Sequence, residues 1–343
     1  MKMKSVIILK DYKNKFGSKW DSHPYRSGLD KELLKNNFKN NGINCKFASF
    51  SRVPPLEELK KGRVLYTSSE DLGGFYKSFI EDVILNLERA GVRVIPSFDL
   101  LRAHNNKVYM ELLRQRIGHR WKDNLQSRVF GTLEELEDNL DRVEFPTVIK
   151  TFAGALSRGV FKAENPAELR TICRKIARVR FIREDLKDRL RPLKHRGYVR
   201  ESTHRKKFIV QRFLPGLEND WKILVYGKRL FILTRHVREN DFRASGSHCN
   251  YLAGSKSKLP AGILDYAVRI QKTLNVPHLS LDVVQEGKKF ELVEFQALYF
   301  GTSTVNMSDV YFEKVGNQWR QVPKNNISIE KLYADAVVRF LNQ

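Results

Sequence analysis

The sequence predicts a mixed α/β and α+β protein: an open α/β layer over residues 1–100, followed by α+β segments. Three observations predict it. Strand-like and helix-like runs alternate at short intervals over the first hundred residues. From residue 148 onward, runs with the two-residue spacing of strands are joined by Gly-containing turns. Hydrophobic residues make up 41% of the 343-residue chain, 21 of them Phe, enough for a large core divided into two or three lobes.

Taken in order, the apolar run at 5–9 reads as a buried first strand, because charge follows it at once and no small-residue cleavage site closes it. Residues 29–41 read as a helix, 45–48 as a strand and 63–67 (RVLYT) as another. A helix over 76–90 ends at Gly91, a C-terminal cap, before the strand VRVIP. A new helix begins around 107–116. After 148 come VIK, a Gly-containing loop, GVFKA and a helix over 166–177. Then follow KFIVQRFL, DWKILVYG and KRLFILTRHV, separated by Pro-Gly and Gly-Lys turns. A helix over 260–274 precedes LSLDVVQ and KFELVEFQ, two strands joined at Glu286-Gly287, and ISIEKLYADAVVRFL closes the chain with helical spacing.

The charge is the most unusual global feature. Lys and Arg number 62 against 39 Asp and Glu, a net +23 that attracts polyanions: nucleic acid, nucleotide, acidic glycan or an anionic membrane surface. The basic concentration peaks in residues 174–207, which show little apolar periodicity and read either as a solvated helix and loop or as an arm touching an acidic substrate. No apolar run approaches the roughly 18 residues of a membrane span. Cys45, Cys173 and Cys249 are widely spaced, fit a reducing cytoplasm and match no metal-binding spacing.

Three constellations carry possible chemistry. Asp282 and Glu294 sit in two strands of one hairpin, and residues 292, 294 and 296 share a face, so Glu294 and Gln296 can join Asp282 in an oxygen-rich magnesium site; a polar face meeting water would look the same. Lys150 ends a strand before the small-residue loop 151–160, which could bring an ammonium and backbone N–H groups to phosphate, or form a plain hairpin turn. Arg235, Arg238 and Arg243, with Ser245 and Ser247, follow an apolar strand, as anion-holding groups or as a surface loop.

In order, Lys150 and its loop, VQRFLPGLENDWKILVYGKRLFILTRH, DFRASGSHCN and LDVVQ…ELVEFQALYFG resemble the ATP-grasp superfamily, in its RimK-type and glutathione-synthetase-like flavour. The resemblance covers roughly residues 106–306 and rests on order and spacing, no single motif being specific. It implies an N-terminal α/β pre-ATP-grasp domain (1–103), a central lobe with the lid loop and basic arm (104–210) and a C-terminal lobe with the metal site (211–343). ATP would lie between the two grasp lobes. Lys107 and Lys150 resemble the phosphate-contacting lysines, and Gly154, Ser157 and Gly159 belong to the loop resembling the glycine-rich lid. Gln211, Arg212, Phe213 and Leu214 resemble the strand that meets adenine, and Glu218 or Asp220 the ribose contact. Arg235 resembles the arginine steadying the transferred phosphoryl group; Asp282, Glu294 and Gln296 resemble the magnesium ligands; Arg238, Arg243, Ser245 and Ser247 stand near the acceptor. Departures from the pattern are Ala155-Leu156-Ser157 in the lid, Gln211-Arg212 where Gln-Glu is usual, and Gln296 where Asn is usual.

The implied activity is an ATP- and Mg2+-dependent carboxylate–amine ligase working through an acylphosphate, on a small-molecule, peptide or acidic polymer substrate, in the cytoplasm, with oligomerisation possible. The rival readings are an ATP-grasp kinase acting on a hydroxyl, a non-catalytic nucleotide-binding protein, and a basic nucleic-acid-binding module, the last disfavoured because zinc-finger, basic-heptad and RNP-like patterns are missing from the sequence.

Overall fold

The computed structural model describes residues 5–154, 159–237, 241–243 and 251–343. They form two compact units: residues 1–104, 117–123 and 217–343 in the first, and 105–116 with 124–216 in the second. This grouping differs from the three expected segments in a simple way, since the N-terminal and C-terminal parts of the chain share one core.

The first unit opens with β1 (Ser5–Lys10), α1 (Lys31–Asn40), β2 (Asn44–Ser49), α2 (Leu56–Lys60), β3 (Arg63–Tyr66), α3 (Phe75–Arg89), β4 (Val94–Ile95) and α4 (Phe98–Ala103). The four strands make a parallel sheet in the order β2-β1-β3-β4. Val6–Leu9 is a continuous apolar run because β1 is central and covered on both faces. Asp30 caps α1 by accepting from the Leu33 N–H at 2.9 Å. The sequence reading passes over α2 and α4, of five and six residues, too short to display a helical period.

The second unit contains α5 (Lys107–Ile117), β5 (Ser127–Phe130), α6 (Leu133–Glu137), β6 (Thr147–Thr151), β7 (Val160–Ala163), α7 (Pro166–Ile176), α8 (Ile182–Lys194) and β8 (Phe208–Arg212). Its antiparallel sheet runs β5-β8-β6-β7. One face carries Ile149, Phe208 and Val210 into a core shared with Leu133, Leu136, Leu169 and Cys173. A Thr132–Glu135 capping box starts α6, and Asn165 with Pro166 starts α7. The basic stretch 174–207 is a helix and its connections, and it does hold an apolar period, at Ile182, Leu186 and Leu190, which its dense charge hides from a sequence window.

The chain then returns to the first unit as β9 (Asn219–Tyr226), β10 (Arg229–His236), β11 (Tyr251–Ala253), α9 (Ile263–Leu274), β12 (His278–Glu286), β13 (Lys289–Gln296), α10 (Ser303–Met307), β14 (Val310–Val315), β15 (Gln318–Pro323) and α11 (Ile329–Leu341). These strands form an antiparallel sheet in the order β13-β12-β9-β10-β14-β15, with β11 also on β10. The hairpin β14–β15 is absent from the sequence reading. KFIVQRFL, which the expected boundary at 210/211 divides, lies within the second unit and forms β8 of its sheet. The two halves of the first unit are joined by α1 against α11, where Val6, Phe38, Leu332 and Val337 share one core. Buried Glu330 adds polar ties, accepting from the Asp30 N–H at 3.0 Å and pairing with Lys19 at 3.3 Å.

Candidate active site

In the first unit, strand register sets the chemistry. Asp282 lies directly across from Glu294 and, on its other side, from Lys222; Ser280 lies across from Gln296, and Arg235 from Asp220. Cross-strand partners share a face, so Asp220, Lys222, Arg235, Asp282, Glu294 and Gln296 all project from the same side of the sheet. Farther along that face Leu224, Tyr226 and Phe231 enter the core against α11, so the polar group occupies one end of a face whose other end is buried. The hairpin turns through Gly287 at φ +58°, a left-handed conformation that favours glycine.

One expectation is corrected here. Residues 292, 294 and 296 were expected on one face, but the register shifts between Asp282 and Val283, leaving Val293 as an extra residue and pairing Leu292 with Val283. Leu292 therefore points to the opposite, buried face. The bulge rotates Glu294 and Gln296 onto the polar side independently of the strand before them.

Ion pairs knit this face together. Arg235 donates from Nε to Asp220 Oδ1 at 2.6 Å and from Nη2 to Asp220 Oδ2 at 2.7 Å, and its Nη2 lies 3.0 Å from Asp282 Oδ2. Lys222 Nζ is 3.2 Å from Asp282 Oδ1. Gln296 Nε2 reaches Glu294 Oε1 at 3.4 Å. Arg235 and Asp220 are both buried, so each needs the other's charge. Burial pushes the Asp220 carboxyl up to about 6 against the pull of Arg235. Burial acts the same way on Asp282, but Arg235 and Lys222 together hold that carboxyl well below the usual range. It also works against the Arg235 charge, and the two carboxylates outweigh it, so the guanidinium stays protonated. Asp220, a ribose candidate from sequence, has both carboxylate oxygens engaged by Arg235 and belongs to this cluster. Lys222 went unnoticed in the sequence, although Asp220 and Lys222 stand two apart on a strand and must share a face.

In the second unit, Lys150 is buried on β6, across from Val160 and Ile209, while Gln211 lies across from Val148. Lys150 and Gln211 thus share a sheet face, opposite the apolar core. The loop after β6 is tied at its base: the Thr151 N–H donates to Gly159 O at 2.9 Å, and Thr151 Oγ1 donates to Ala153 O at 2.7 Å. Gly154 has φ +129°. The Lys107 N–H at the start of α5 donates to Phe152 O at 2.7 Å, bringing Lys107 to that loop. Ser157 lies outside the described residues.

Behind them, buried Glu111 and Arg114 form an ion pair on α5, and Ser127 Oγ donates to Glu111 Oε2 at 2.6 Å. This network, which clamps α5 to β5 and reaches Gln211 Nε2 at 3.5 Å, had no signal in the sequence beyond two charges three residues apart. Arg212 donates its N–H to Gln126 O at 3.0 Å, and the Lys162 ammonium lies 4.2 Å from the Phe213 ring centre. Leu214 is buried.

Of the remaining candidates, Glu218 accepts from the Val237 N–H through its main chain at 2.9 Å. Arg243 pairs with Asp241 at 2.9 Å. Arg238, Ser245 and Ser247 lie outside the described residues. Cys45 and Cys173 are free and buried, with burial pushing both thiols up to about 12, which removes them as nucleophiles. Among the described residues no helix is long and apolar enough to cross a membrane.

No family model matches the chain, and no curated protein matches it. Solved structures do. A RimK domain ATP-grasp protein from Sphaerobacter thermophilus DSM 20745 is similar over 97% of this chain and 99% of its own, at TM-score 0.51 and 15% identity. The D-cycloserine synthetase DcsG is similar over 98% and 99%, at 0.52 and 12%. The ATP-grasp ligase PsnB, complexed with minimal precursor, Mg and ADP, is similar over 98% and 97%, at 0.51 and 14%. The chain has the ATP-grasp fold.

Proposed function

We propose that this chain is an ATP-dependent ligase that joins a carboxylate to an amine, with magnesium as its metal. The observation that carries the reading is the cross-strand set Asp282, Glu294 and Gln296 with Arg235 beside it, in a chain whose fold is shared with a ligase solved with Mg and ADP. Two carboxylates and a carboxamide are hard oxygen donors on adjacent strands, a donor set that fits magnesium. Held by Asp282, Glu294 and Gln296, a magnesium ion would offset phosphate charge and act as a Lewis acid toward the transferring phosphoryl group.

In this reading Lys107, Lys150 and the N–H groups around Gly154 and Gly159 bind the phosphates, and Gln211 to Leu214 line the base. The substrate carboxylate oxygen forms a bond to the γ-phosphorus of ATP and the bond to ADP breaks, giving an acylphosphate. The amine then adds to the acyl carbon, loses a proton, and inorganic phosphate leaves as the amide forms. Arg235 offsets the charge on the transferring group. Arg235 is already desolvated and aligned by Asp220, so little reorganisation is required of it. The net charge of +23 makes an anionic substrate the favoured class.

The test is a screen of carboxylate and amine pairs with Mg-ATP. ADP and free phosphate should appear in equal amounts and only when both partners are present. Phosphate retained on the product would move the assignment to a kinase. Glu294→Gln, isosteric at a half-buried position, should reduce turnover at least about a hundredfold while leaving the unfolding midpoint near wild type; full activity in that variant removes the metal assignment.

A further inference from the structure

Helix α8 is built inside out. Ile182, Leu186, Leu190 and Leu193 are 83%, 58%, 55% and 85% exposed, whereas Asp188 on the same helix is buried. At about 100° per residue the four aliphatic side chains fall within an arc of about 80°, and Asp188 lies on the opposite side. That polar side is what docks: Asp188 accepts from Tyr198 Oη at 2.5 Å, from Arg191 Nη1 at 3.1 Å and from the Glu201 N–H at 3.1 Å. The anchor fixes the rotation of the helix, so the aliphatic ridge faces outward by construction. Exposed cations border the ridge on both sides, Arg189 along one edge and Arg183, Lys187 and Lys194 along the other.

We propose that α8 seats this protein on an anionic membrane surface, with the aliphatic ridge in the acyl boundary and the flanking cations at the lipid phosphates. The inference is independent of the ligase reading. A projecting ridge has no walls to hold a peptide, but it needs none against a bilayer, which accepts any apolar stripe of this kind. A second copy of the chain is disfavoured because its own α8 would set like charges against like. Nucleic acid would engage the cations and leave the aliphatic side chains with nothing to bury against. The net +23 adds long-range attraction, and each cation near an anionic leaflet is worth roughly fivefold in partitioning.

The experiment is flotation of the full chain with vesicles of phosphatidylcholine alone or with about a third phosphatidylserine, in about 0.1 M salt. Binding to the anionic vesicles should exceed that to neutral ones at least tenfold. Leu186→Asn with Leu190→Asn should lose tenfold or more, and Arg183→Gln with Arg189→Gln and Lys194→Gln about a hundredfold. Lys35→Gln with Lys39→Gln, exposed cations on α1, should change binding less than twofold, as a control for total charge. A Leu190→Trp variant should show blue-shifted emission relative to wild type on anionic vesicles only. Wild-type binding by the two-Asn variant, or equal losses in the α1 control, would overturn the proposal in favour of whole-molecule electrostatics. Failure to bind vesicles, together with α8-dependent binding of an acidic peptide or RNA, would overturn it in favour of that partner.

Discussion

Replacing Arg235 with Met leaves two carboxylates on one sheet face without the guanidinium they share. In the wild-type protein that guanidinium makes two contacts to Asp220, at 2.6 and 2.7 Å, and one to Asp282, at 3.0 Å. Asp282 keeps Lys222 at 3.2 Å, so the loss falls mainly on Asp220, which is buried and gets no comparable contact from another cation in the cluster. Breaking a buried pair by removing one partner costs about 3–5 kcal/mol, a large part of a typical total of about 5–15 kcal/mol. Urea denaturation should show the unfolding free energy, extrapolated to water, falling by that amount. Because the cost comes from the stranded carboxylate and not from lost packing, adding Asp220→Asn to Arg235→Met should recover about 2 kcal/mol of it. A loss below about 1 kcal/mol in the single variant, or no recovery in the double one, would refute the view that Arg235 compensates these charges.

Two further outcomes follow from the geometry. A Cβ on Gly159 would lie 2.0 Å from Thr151 Oγ1, so Gly159→Ala should break the Thr151–Ala153 hydrogen bond and cost about 1–3 kcal/mol; adding Thr151→Ala should restore most of it, and an unchanged single-variant midpoint would contradict the close approach. His104 and His278 are buried, and burial lowers them to about 3 and about 4, with Lys77 reinforcing the first and the Leu298 carbonyl opposing the second. Unfolded histidine titrates near 6.5, so the unfolded chain takes up protons first and stability falls as pH drops from about 6.5 toward 4, by up to roughly 2 kcal/mol per histidine at pH 5. His278→Phe, in a pocket of Tyr226, Phe300 and Tyr333, should flatten part of that acid limb; an unaltered pH profile would show that His278 is not held neutral.

Long, periodic elements were legible from sequence because their spacing is local. The span 29–41 contains α1, 76–90 matches α3 to within a residue at each end, and 260–274 contains α9. Short pieces such as α2, α4 and α6 were not, since five or six residues display less than two turns. The hairpin β14–β15 was missed because Glu313, Lys314 and Gln318 to Gln321 mix polar residues into an edge of the sheet, where one face meets water.

What the sequence determined by itself was whatever neighbouring residues decide: the α/β opening, the hairpin through Gly287, and the residue types able to hold phosphate and a hard cation. Tertiary structure alone decided who faces whom. The bulge at Val293 turns Leu292 away and Glu294 toward Asp282, Arg235 closes on Asp220 and Asp282 from two different strands, and α11 packs on α1 to merge the two ends of the chain. Those pairings depend on register and on burial between segments distant in the chain. A one-residue slip in either strand would send every side chain to the other face, and no local pattern records which register is chosen.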